Sequence, residues 1–209
     1  MSFDLEGYEA LLDAARGYRL VHFDHEPQPG EIFLRHDVDL SLAAALRMAE
    51  LEAARGASAT YFLMTRSVFY NLASHEGDAA VRRLRELGHR IGLHAVHPHV
   101  DFDDRFDPVL AWHNPDPEFM HEPVDGLVNV MSSPWFDPEH YRSDSNQHWR
   151  SGDPASALAA REFEWLQLLT HPEIWAFEGA TMRETMESML RAEREERLRQ
   201  LAADRIDLS

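Results

Sequence analysis

The chain has 209 residues, enough for one domain with a substantial core, and 37 acidic against 20 basic residues give it a formal charge of −17. So acidic a balance lacks the basic footprint that nucleic acids and anionic membranes require. Cysteine is absent and every basic residue is arginine, which excludes disulfides, thiolate zinc sites, cysteine nucleophiles, Schiff-base lysines and a P-loop lysine. Any metal must therefore be held by His, Asp or Glu.

In chain order, residues 3–15 predict a short amphipathic helix with Leu5, Tyr8, Leu11, Leu12 and Ala15 on one face. Residues 31–39 predict a strand: Ile32, Phe33 and Leu34, then Arg35-His36-Asp37-Val38-Asp39. Ser41 is placed to cap a helix running to Arg55, with Gly56 beyond its end and Leu42, Leu46, Ala49 and Ala53 as its buried stripe. A strand follows over 59–64, a helix over 78–87 and a strand over 90–96. The last of these runs into His94-Ala95-Val96-His97-Pro98-His99.

Downstream, 108–112 predicts a short strand ending at His113-Asn114-Pro115, and 127–131 predicts another. Residues 132–156 are turn-rich and read as loop. Residues 163–170 form a last apolar strand ending at His171-Pro172. Residues 179–204 predict a long charged helix with Met182, Met186, Met189, Leu190 and Leu201 on its buried side. The whole of 1–209 reads as one domain: 1–30 supply an N-terminal helix and lead-in, and 179–205 the C-terminal helix. No apolar run approaches the ~20 residues that span a membrane, and the N-terminus lacks a signal-peptide pattern. A soluble cytoplasmic protein is expected; nothing in the pattern sets its oligomeric state.

Alternating strands and helices predict a parallel sheet with right-handed crossovers, and chemistry in such sheets gathers beyond the carboxyl ends of the strands. The Asp and His clusters fall at such ends. Carboxylate oxygen and imidazole nitrogen suit a divalent metal, Zn2+ above all. Two carboxylates at a buried strand end repel unless a cation lies between them. His36, on the opposite strand face from Asp37, reads as structural, and His89 as a cap on the helix before it.

The ordered set of motifs resembles the polysaccharide deacetylase family, the NodB-homology or carbohydrate esterase 4 type. Its carriers here are His36-Asp37-Val38-Asp39, then Gly88-His89-Arg90-Ile91-Gly92-Leu93-His94, then Leu168-Leu169-Thr170-His171. The likeness spans about residues 31–175. It implies a distorted, incomplete (β/α) barrel that removes acetyl groups from N-acetylated amino sugars with a metal-activated water. It also implies Asp37 as base, Asp39 and His94 as ligands and His171 as acid.

Three departures mark a divergent branch. Val38 separates the paired carboxylates, although alternate residues of a strand still share a face. Pro98 stands where the second ligand histidine is expected, leaving His97, His99 or His113 to complete the site. His113-Asn114-Pro115 stands where the family has an Arg-Pro motif. Candidate substrate contacts are Tyr70, Asn71, Asn114, Arg142 and Asp144, the last two also able to orient groups at the metal. The expected partner is a small molecule or a glycan. Two other readings remain: an amidohydrolase- or phosphoesterase-type centre using His97-Pro98-His99, which two metals with phosphate in the pocket would favour, and a sugar-binding member without catalysis.

Overall fold

The computed structural model describes residues 2–206, and every strand pair among them is parallel. The strands are β1 (Arg19–Val21), β2 (Glu31–Val38), β3 (Thr60–Leu63), β4 (Arg90–Ala95), β5 (Val109–Trp112), β6 (Val128–Asn129), β7 (Tyr141–Ser143) and β8 (Trp165–Thr170). Their spatial order is β6-β5-β4-β3-β2-β8-β7, with β1 beside the first half of β2. β8 occupies one side of β2 from Glu31 to His36. The other side is shared in sequence, β1 taking Glu31 to Phe33 and β3 taking Arg35 to Val38. The sheet curls, and β6 and β7 end it without pairing, so it is an open half-barrel. This is the distorted, incomplete barrel expected from the sequence.

Side chains alternate across each strand. Ile32, Leu34 and Val38 of β2, Tyr61 and Leu63 of β3, and Ile91 and Leu93 of β4 face the helices and build the main core. Phe33, Phe62, Val109, Ala111 and Val130 fill the concave side. Gly92 lies on that side too, where a Cβ would come within 2.4 Å of the Phe62 ring, so no larger residue fits there.

The helices are α1 (Leu5–Ala14), α2 (Leu42–Ala54), α3 (His75–Glu86), α4 (Ala155–Ala159), α5 (Pro172–Ala176) and α6 (Met182–Ala203). Ser41 caps α2 by accepting from the Ala44 N–H at 3.3 Å, and Gly56 follows the helix at φ +70°. The buried face of α2 is Ala44, Ala45, Met48, Ala49 and Glu52. Leu42, Leu46 and Ala53 are only partly covered. On α6, Thr185 and Met189 are buried, but Leu190 and Leu201 are 51% and 36% exposed. That corrects the predicted stripe.

His89 does not cap α3. Its Nδ1 accepts from the Ala59 N–H at 3.2 Å and its Nε2 donates to the Ala49 carbonyl at 3.0 Å, tying α2 to β3. The sequence pattern also missed β1, β7, α4 and α5, each five residues or shorter. No helix among the described residues is long and apolar enough to cross a membrane.

Candidate metal centre

The alternation that fills the concave side with Phe33 and Phe62 carries on to the carboxyl ends of the strands. There it points Arg35, Asp37 and Asp39 inward from β2 and the residue after it. His94 comes from β4, His113 follows β5, and His171 follows β8. His94 pairs in register with Ala111, so His113, two residues on, returns to the same face. Its N–H donates to the Ala95 carbonyl at 2.8 Å and fixes that return.

Asp39, His94 and His113 form a near-equilateral triangle of donor atoms. Asp39 Oδ1 lies 3.0 Å from His94 Nε2 and 3.1 Å from His113 Nδ1, and the two nitrogens are 3.2 Å apart. Ligands held about 2.0–2.1 Å from one tetrahedral Zn2+ lie roughly 3.3–3.4 Å from one another, so each edge need open by only a few tenths of an ångström. The tautomer fits as well. His94 Nδ1 donates to the Ala111 carbonyl at 3.0 Å, which leaves Nε2 bare and aimed at Asp39. Asn114, at φ +43°, places its amide 3.3 Å from His113 Nε2. The three side chains thus form a donor set that could hold a divalent metal ion.

Two restrained groups flank the triangle. Asp37 is buried, with Oδ2 3.7 Å from His94 Nε2. Arg35, 1% exposed, grips it through Nε at 2.7 Å and Nη2 at 2.6 Å. Gln167 accepts from Arg35 Nη1 at 3.0 Å and is itself anchored on the Val130 and Trp135 carbonyls at 2.9 and 2.7 Å. Burial alone would raise the Asp37 carboxyl, but Arg35 and then His94 outweigh it and hold it below the usual carboxylate range. Burial likewise opposes ionisation of Asp39, and the imidazoles of His113 and His94 beside it drive it far the other way. The hydrogen bond to Asp39, ahead of burial, raises His113.

Across the centre, His171 Nε2 lies 3.9 Å from Asp39 Oδ2. Its Nδ1 is 2.6 Å from Asp144 Oδ1, while Asp144 Oδ2 accepts from the His171 N–H at 3.0 Å and from Trp175 Nε1 at 2.6 Å. Burial would lower the imidazole, but Asp144 overrides it and pushes His171 up to about 10. A divalent ion held by Asp39 would oppose that and draw His171 back toward neutrality.

The remaining predicted residues lie elsewhere or serve the scaffold. His97 stacks on Phe119 at 4.1 Å between ring centres and places Nε2 3.4 Å from Glu122. His99 is exposed in the loop after β4. Neither belongs to the triangle. Tyr70 spends its hydroxyl on the backbone, donating to Val38 O at 2.6 Å and accepting from Met64 N at 2.8 Å. Asn71 closes a turn by accepting from the Ala73 N–H at 3.0 Å. Arg142 turns to the Glu139 and Tyr141 carbonyls, with its guanidinium 4.9 Å above the Phe163 ring.

Sequence reasoning missed Arg35 and Gln167, and it missed Glu173. Glu173 is 2% exposed on α5, and its Oε2 has no hydrogen-bond partner. Burial raises Glu173 first; His171 counters this, Asp39 adds to it, and the carboxyl ends at about 8. The signal for Arg35 was present in the sequence, since residues 35, 37 and 39 share one strand face. A cavity of about 520 Å3 opens at the other mouth of the half-barrel, lined by His22, His25, Arg90 and Trp135 among others. It holds no metal-donor cluster among the described residues.

No family model and no curated protein matches the chain. Among solved structures, a peptidoglycan deacetylase of Bdellovibrio bacteriovorus is similar at 19% identity and a TM-score of 0.36, over 86% of this chain and 53% of that one. The chain spans about half the length of that enzyme. Likeness at this level assigns no role to any residue here.

Proposed function

We propose that the chain is a metal-dependent hydrolase that removes an N-acetyl group from an amino sugar or sugar conjugate. One observation carries the reading: a triangle of possible metal donors lies between a carboxylate paired with arginine and an imidazole bonded to a second carboxylate. Asp39, His94 and His113 hold the ion, Asp37 is the base and His171 the acid. The substrate is a glycan or a small molecule bearing the acetylated amine.

A bound Zn2+ supplies Lewis acidity, polarising the acetyl carbonyl and lowering the pKa of water at the site. Asp37 stays ionised and orients the attacking water, taking its proton as the oxygen bonds to the carbonyl carbon. Arg35 limits its basicity but fixes its direction. His171 Nε2 faces the centre and carries a proton at neutral pH; it delivers that proton to the nitrogen as the C–N bond breaks, leaving acetate and a free amine. Asp144, bound through Nδ1, keeps the ring turned to do so. The separation of His97 and His99 from the triangle favours this reading over an amidohydrolase- or phosphoesterase-type centre built on His97-Pro98-His99.

Rates on an N-acetylated amino sugar and on an acetyl ester with a good leaving group test the assignment. His171→Ala is expected to slow amide hydrolysis by about 10²–10⁴-fold and the ester much less, since an activated leaving group needs little protonation. Asp37→Asn is expected to slow both with the metal retained. Failure of the zinc-loaded wild type to hydrolyse any acetylated sugar would leave a sugar-binding role instead.

A further inference from the structure

Behind the sheet, on the face opposite the metal donors, lies a buried polar chain that the proposed chemistry does not use. Glu52 of α2, wholly buried, accepts from the Tyr8 hydroxyl, from the Tyr61 hydroxyl at 2.8 Å and from His36 Nε2 at 2.7 Å. Burial favours its acid form, but His36 outweighs burial and holds it ionised. With Nε2–H committed to Glu52, His36 Nδ1 accepts from the Thr170 hydroxyl at 2.7 Å. His36 and Thr170 are paired in register across β2 and β8. One residue further along each strand stand Asp37 and His171, which point the opposite way.

We propose that Thr170, His36 and Glu52 form a positioning clamp for the acid, setting the direction in which His171 faces Asp39 and Asp37. The inference rests on the functional reading above. In a strand, fixing the rotation of one residue fixes the direction of the next, because side chains alternate from face to face. The Thr170–His36 bond locks β8 against β2 at the level where one strand delivers the acid and the other the base. Asp144 holds the His171 ring from the far side, so ring and backbone are restrained independently. Stability alone does not explain the chain, since apolar residues of similar volume commonly pack at least as stably as a buried ionic network. Tyr8 and Tyr61, from α1 and β3, anchor Glu52 and complete its donors.

Thr170→Val removes only the hydroxyl, and Thr170→Ser restores it. In the zinc-loaded protein, T170V is expected to slow amide hydrolysis by about 10–100-fold, the scale of a small misplacement of a reacting group. Hydrolysis of the activated ester should stay within about twofold, because it does not need the acid. The low-field proton resonance of His171 Nδ1–H should shift in T170V and return in T170S, and this readout requires no activity. Equal losses on amide and ester, or an unmoved resonance in T170V, would overturn the clamp and leave a packing role. A wild type without amidase activity would sink the functional reading while the resonance still decides the clamp.

Discussion

Replacing Arg35 with methionine exposes how the centre keeps Asp37 ionised. Arg35 is 1% exposed and donates two hydrogen bonds to the Asp37 carboxylate, at 2.7 and 2.6 Å. Methionine fills much of the same volume beside Phe62 but leaves a buried carboxylate without its cation. Breaking one side of such a pair typically costs about 3–5 kcal/mol. The sign of the pH dependence is more telling. In the wild type, Asp37 sits below its ordinary 3.8, so it stabilises the fold above that pH and its contribution is lost only in stronger acid. In Arg35→Met, burial is opposed only by His94 and His171, and the folded pKa moves above 3.8. Stability then falls as pH rises from 3.8 to the new value, by up to about 1.4 kcal/mol per pH unit. Denaturant unfolding of chelator-treated wild type and variant between pH 4 and 8 measures the difference, and groups common to both proteins cancel. Arg35→Met/Asp37→Asn should recover most of the loss. A single variant within about 1 kcal/mol of wild type, flat in pH, would refute the account of Asp37 as a buried anion held by Arg35.

Elemental analysis should find one zinc per chain, lost in Asp39→Asn, His94→Ala and His113→Ala and kept in His97→Ala and His99→Ala; loss in His97→Ala would move the centre into the loop after β4. Chelator-treated protein should lose stability as pH rises from about 6.5 to about 10, because His171 is raised into that window by Asp144 and its stabilising charge disappears through it. Asp144→Asn should flatten that slope, and an unchanged slope would assign it to other groups. Glu173, raised to about 8, keeps its proton in the fold, so stability is lost as pH climbs from about 4.5 to about 8. Glu173→Gln, which cannot ionise, should therefore remove this loss and flatten the slope between about pH 4.5 and 8 in thermal or denaturant unfolding, by up to about 1.4 kcal/mol per pH unit.

Strands that carry a strong local signal were legible in the sequence. The apolar runs of β2, β4, β5 and β8 and the Ser41 cap lie within a residue or two of where their patterns put them. β1 and β7 were not legible, because three residues are too few to show a period and their place is set by the free flanks of β2 and β8. The exposed Leu190 and Leu201 follow from tertiary context: α6 has a periodic apolar stripe, but beyond Met189 it finds little to pack against. At the site, the sequence left open which of His97, His99 and His113 completes the donor set. Geometry separates them through register, since His113 continues the inward phase set by the His94–Ala111 pairing while His97 and His99 lie past the end of β4.

The same alternation explains why a run as dense as Arg35-His36-Asp37-Val38-Asp39 is tolerated in a sheet interior. Residues 35, 37 and 39 go to the concave face, where Arg35 neutralises one carboxylate and His94 and His113 face the other. Residue 36 goes to the helix face, where Glu52 meets it, and Val38 joins the apolar core beside it. Moving β2 by one residue would bury Asp37 and Asp39 on the face of Tyr61 and Leu63 and turn Leu34 and His36 to the concave side. Such a slip would strand two unpaired charges in the core at several kcal/mol each. The register that assembles the site is therefore the one the charged residues themselves enforce. Substituting Asp37 and Asp39 together by leucine would remove that penalty, and with it the strongest barrier to strand slippage.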